Sequence, residues 1–187
     1  MRRFPNIIIH ESALIGLAMM LLLMDLRWIG AFICSAMVHE LSHYLMLRLL
    51  RCEVQQISVG FSGAKMNTLP LTNKEELISS LAGPLGGLCL IPLSALFPRL
   101  ALCAFFHSVI NLLPIYPLDG GRVLRCILPK SYHRPVQLAF TLFLLMITLR
   151  YVGWVGTLCV FLVTQRSLLE KLLAKNRFSG YNIPTIK

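Results

Sequence analysis

Of 187 residues, 56% are hydrophobic and only 14% carry a formal charge, against roughly 45–50% and about 25% in soluble globular domains. That composition excludes an ordinary water-soluble enzyme, and it excludes a disordered chain, which needs low hydrophobicity. The net charge of +10 would suit nucleic acid if it were gathered on one face, but it is spread along the chain between apolar stretches.

A bilayer core of roughly 30 Å needs about 20 apolar residues per helix. Taken in chain order, the first candidate span is 7–24. It follows Met1-Arg2-Arg3 and has no small-residue cleavage site behind it, so it reads as a retained span and not a signal peptide. The second is 28–47. Residues 51–76 then form the one sizeable connection, in which Ile57, Val59 and Phe61 alternate with Gln56, Ser58 and Gly60. Such alternation predicts a strand, with a turn at Gly60-Phe61-Ser62-Gly63. Further spans follow at 77–97, 100–118, 134–149 and 151–168. The last two are separated only by Arg150 and could be one long tilted helix.

Charge placement favours six spans. With both termini cytoplasmic, fifteen of the eighteen lysines and arginines fall on the cytoplasmic side, leaving only Arg27, Arg99 and Arg150 outside. Merging the last two spans would reverse the basic tail and spoil the bias that sets topology. The expectation is an all-α polytopic membrane protein, a single domain over 1–187, with a small β-strand or hairpin between its second and third spans. Its natural surface partner is the lipid bilayer with its anionic headgroups, and nucleic acid is excluded. The six cysteines contain no CxxC pair and read as small buried thiols.

Ionisable groups inside a span are expensive, so each one points to function. The second span contains His39-Glu40-Leu41-Ser42-His43, the HExxH pattern. Four residues bring His39 and His43 to one helix face, where two imidazoles can hold one tetrahedral zinc. Glu40, rotated by roughly 100°, can reach the open position beside the metal. The competing account is a pair of buried, hydrogen-bonded histidines. A catalytic zinc needs a third protein ligand. Most other acids belong to aqueous segments, whereas Asp119 follows the fourth span inside Asn111-Leu112-Leu113-Pro114-Ile115-Tyr116-Pro117-Leu118-Asp119-Gly120-Gly121. Irregular backbone at that depth survives only inside protein or beside a water-filled cavity. An ordinary turn aspartate is the alternative.

HExxH in one span and the Asn111-x-x-Pro114-x-x-Pro117-Leu118-Asp119-Gly120-Gly121 run in a later one resemble the site-2 protease family of intramembrane zinc metalloproteases, peptidase family M50. Ser80-Leu81-Ala82-Gly83-Pro84-Leu85-Gly86-Gly87 between them is similar to that family's glycine-rich third core helix. The resemblance spans about 28–125 and is nearest to the branch of stage IV sporulation protein FB. It implies a three-helix catalytic core and one zinc ion held by His39, His43 and Asp119, with Glu40 as the acid–base. It also implies a bacterial cell membrane location and a membrane-tethered protein substrate, which in that branch is a pro-sigma factor. A regulatory membrane partner or a second copy of the chain is a further candidate partner. Neither a CBS nor a PDZ domain is expected.

His107 and Asn111, four apart on the fourth span, share a face that could look towards the metal. Asn111 is a candidate oxyanion or substrate-amide donor, or helix-packing glue; His107 has a structural hydrogen bond or a role in the cleft. The Ile57, Val59 and Phe61 strand could take an extended substrate by edge addition, or form a hairpin covering the membrane surface. Two other functions compete with proteolysis. A scaffold for client helices has no use for Glu40, and a metal or solute transporter often carries an internal repeat, which this chain lacks.

Overall fold

The computed structural model describes residues 5–60 and 63–151. The chain opens with a strand, β1 (Asn6–Ile9), followed by α1 (Glu11–Leu23). The expected first span is therefore divided. Ile7, Ile8 and Ile9 are β-branched and favour extended backbone where a partner strand is offered. That partner is β2 (Val54–Gly60), which takes β1 in parallel register from Asn6 opposite Gln56 to Ile9 opposite Val59. The 13 residues left to α1 span only about 20 Å of helix.

α2 (Leu26–Leu49) begins at Asp25, whose carboxylate accepts the Arg27 backbone N–H at 2.9 Å. β2 then turns back into β3 (Gly63–Thr68), giving a three-stranded sheet in the order β1-β2-β3. The connection thus holds more structure than one strand, and its centre is β2. α3 (Asn73–Leu88) starts on a capping box in which Thr72 and Glu75 satisfy each other's backbone N–H groups. A short 3-10 turn (Ile91–Ala95) closes the third apolar stretch. α4 (Pro98–Asn111), α5 (Asp119–Ile127) and α6 (Lys130–Tyr151) follow, and α6 runs through Arg150 without a break.

α2 is the central element, packed by α3 and α4, while α5 closes against α3; α1 and α6 are peripheral. No residue of α1 is buried, and only Thr141 of α6 is. The interior mixes polar groups, Ser35, Ser79, Ser80, Ser108, His39, His43 and Asp119, with Ile29, Leu47, Val54, Ile115 and three alanines. The exterior carries Leu, Ile, Met and Phe along most helices. Water would reverse that arrangement. Lipid favours it, because hydrocarbon solvates the apolar side chains and small residues let membrane helices approach closely.

Six spans are not seen among the described residues. One stretch, Asn73–Ala95, is long and apolar enough to cross a membrane by length and composition. α2 has the length, about 36 Å for 24 residues, but Arg27, His39, Glu40, His43 and Arg48 interrupt its apolar character. α4, with 14 residues, reaches about 21 Å. The expected sixth span lies, apart from Tyr151, outside the described residues, as do Phe61 and Cys159. Cys34, Cys52, Cys89, Cys103 and Cys126 are free thiols. Burial, with Glu75 beside Cys52 and Glu76 beside Cys126, pushes these two thiols up, and Cys34 and Cys89 are exposed, which corrects the expected buried placement.

Candidate metal centre

One turn of α2 separates His39 from His43, and both are buried, at 3% and 8% exposure. The third group arrives from α5. After α4 ends, the segment through Pro114 and Pro117 folds back so that Asp119 opens α5 in the interior, 8% exposed. Gly120 makes that return possible. A Cβ there would fall onto the Leu112 carbonyl, so any larger residue would push the first turn of α5 away from the end of α4.

Three atoms converge. His39 Nε2 and His43 Nε2 are 3.1 Å apart, and each lies 3.1 Å from Asp119 Oδ2. The ligand atoms of this trio all fall within 4.8 Å of one another and could hold a metal ion.

The donor chemistry fits a cation. His43 Nδ1 is 2.6 Å from the Ser79 carbonyl, which can only accept, so Nδ1 carries the hydrogen. A neutral ring then turns the lone pair of Nε2 towards Asp119 Oδ2, itself an acceptor. Acceptors aimed at one another in a buried space repel unless positive charge lies among them. The tautomer is the one a metal-binding histidine adopts when its other nitrogen donates to a carbonyl. Asp119 Oδ1 faces the other way, 3.8 Å from the Arg122 guanidinium, which also lies 3.5 Å from Glu76. Arg122 thus holds the outer oxygen and leaves Oδ2 to the cluster. Across the site, Gly83 lies against His43, and a Cβ there would strike Nε2.

Glu40 stands beside the trio without joining it. It is half-buried, and its Oε1 accepts the Ala64 backbone N–H at 3.4 Å, at the start of β3. His107 stacks on His39, with centroids 4.6 Å apart and planes 17° from parallel. Asn111 is turned back on its own helix, donating to the His107 carbonyl at 3.0 Å. Ile57 and Val59 lie on the central strand, where β1 and β3 already occupy both hydrogen-bonding edges. An incoming strand would have to pair with a free edge of β3 or β1, which corrects the expected docking on Ile57 and Val59. Phe61 lies outside the described residues.

Ser79 and Arg122 escaped sequence reasoning. Any residue supplies the carbonyl that Ser79 provides, so no side-chain pattern could reveal it. Arg122, one turn beyond Asp119, had a signal: a cation at i+3 of an isolated acid.

The peptidase family M50 model matches residues 71–152. A zinc metalloprotease of Methanocaldococcus jannaschii is 32% identical over 114 residues, covering 52% of this chain and 33% of that protein. The chain thus spans about a third of the length of that relative. In structure, the chain is similar to a site-2 protease from Methanocaldococcus jannaschii, with a TM-score of 0.63 and 21% identity. That match covers 88% of this chain and 91% of the other.

Proposed function

We propose that this chain, whose residues 71–152 match the peptidase family M50 model, is a membrane-embedded zinc endopeptidase cutting peptide bonds in or near transmembrane segments of tethered proteins. The observation that carries the reading is the convergence of His39 Nε2, His43 Nε2 and Asp119 Oδ2, 3.1 Å apart, with Glu40 adjacent and outside the trio.

His39, His43 and Asp119 are the proposed holders of one zinc ion. When bound, zinc supplies a Lewis acid that acidifies a water and polarises the peptide carbonyl. Glu40, beside the cluster, would take a proton from the attacking water and return it to the leaving amine. Asn111 spends one amide hydrogen on its own helix, and its second is available to a substrate carbonyl.

A helical substrate protects its peptide bonds, so the client must be presented extended. The free edge of β3 suits this, since Ala64 at its start already touches Glu40. Ile57 and Val59 support that edge by pairing with Met66 and Ala64. The lysine and arginine bias supports six spans with both termini cytoplasmic, and the catalytic core lies within 28–125. A sporulation pro-sigma factor as the client rests on the branch resemblance alone.

The test is co-expression of single-span reporter proteins in the same membrane with wild type, Glu40→Gln and Asp119→Asn. Cleavage by wild type alone is expected. Equal processing by wild type and Glu40→Gln would end the protease reading.

A further inference from the structure

The two histidines of the trio are oriented by different means. His43 has its second nitrogen anchored on the Ser79 carbonyl. Among the described residues His39 has no such anchor, since nothing there pairs with its buried Nδ1. A metal-binding histidine ordinarily gives that nitrogen's hydrogen to a carboxylate, carbonyl or water, which fixes the ring. Something else must fix the ring of His39.

His107 is placed to do it. Its ring lies between His39 on one side, at 4.6 Å and 17°, and Phe32 on the other, at 5.7 Å and 10°. Phe32 and His39 sit seven residues apart on α2, and seven residues of helix rise about 10.5 Å. Two stacking distances fill that rise, so His107 enters from α4 as a wedge between two rings of α2. Among the described residues nothing pairs with the buried Nδ1 of His107. Its flat face is what the site uses, and near-parallel rings at these spacings attract.

We propose that His107, backed by Phe32, is a positioning residue that holds the His39 ring in its metal-binding orientation by stacking, in place of the hydrogen bond that serves His43. The inference rests on His39 being a metal ligand. It assigns α4 a part in the centre that neither α3 nor α5 plays, and it makes the aromatic plane of residue 107 the property that counts.

The experiment uses the full chain in detergent, stripped of metal and titrated with Co2+, reading affinity and the visible absorption bands. His107→Phe keeps the plane and is expected to match wild type in both. His107→Leu removes the plane and is expected to weaken Co2+ binding about 10–100-fold, the usual loss when the support of a ligand is removed, and to shift the bands. Phe32→Leu, remote from the metal, is expected to give a smaller loss in the same direction, and decides the matter if His107→Leu does not fold. A His107→Phe variant as weak as His107→Leu would overturn the proposal, as would wild-type affinity in His107→Leu or, where that variant does not fold, in Phe32→Leu. Wild-type protein that binds no Co2+, or His39→Ala that binds it as wild type does, would remove the metal reading and the inference together.

Discussion

The two long faces of α2 are opposite in chemistry. Ser35, His39, His43 and Leu47 recur every fourth residue and are buried, whereas Ile33, Met37, Leu41, Leu45 and Leu49 recur at the same spacing and are exposed. An offset of two residues turns about 200° around the helix, which sets the stripes on opposite sides. Three of the four inner residues are polar, and every outer one is a large apolar side chain. A helix of a water-soluble protein buries the second kind and exposes the first. α2 therefore presents an apolar outer side and, opposite it, a polar centre walled by α3, α4 and α5.

The largest effect expected on the inner face is chemical. Glu40→Gln should lower reporter cleavage by about 10²–10⁴-fold, the usual contribution of a general acid–base. Metal content should stay unchanged, because the carboxylate stands outside the trio. Reporter cleavage and metal analysis on the same preparation check both halves. On the outer face, Met37→Lys should cost about 2.5–3.5 kcal/mol of membrane insertion if that stripe meets hydrocarbon at mid-depth. Wild-type amounts of this variant in the membrane fraction would place the stripe in water and break the contrast.

A steric change on the inner side should come next. Gly83→Ala puts a methyl group where His43 Nε2 lies, and metal affinity should fall at least about 10-fold, in the range seen when ligand geometry is disturbed. Competition with a zinc chelator reads this directly, and unchanged affinity would show that α3 yields. The smallest effect is expected for Met37→Leu, an apolar exchange on the outer stripe. It should alter thermal stability by no more than about 0.5 kcal/mol, as surface substitutions away from special features do.

How much of this was legible in the sequence followed from the range of each interaction. HExxH is local, so His39, Glu40 and His43 could be read from helical spacing alone. Asp119 was marked by the prolines and glycines around it, although its meeting with residues 80 positions away depends on packing. β1 was not legible. Ile7-Ile8-Ile9 is a continuous apolar run, and only pairing with β2, nearly fifty residues later, distinguishes it from the start of a membrane helix. The same pairing made β2 a central strand and moved the free edge to β3. The stack of Phe32, His107 and His39 needed two helices in register, and neither sequence segment announces the other.

The position of Asp119 on α5, with both histidines on α2, bears also on how the chain holds together. A metal gripped by all three would act as a cross-link closing a loop of some 76 to 80 residues, and clips that close long loops remove the most freedom from the unfolded chain. Folding and occupancy are then linked by mass action: free metal at 100 times its dissociation constant adds about 2.7 kcal/mol to the folded state. Metal supply would then set how long the folded protein persists.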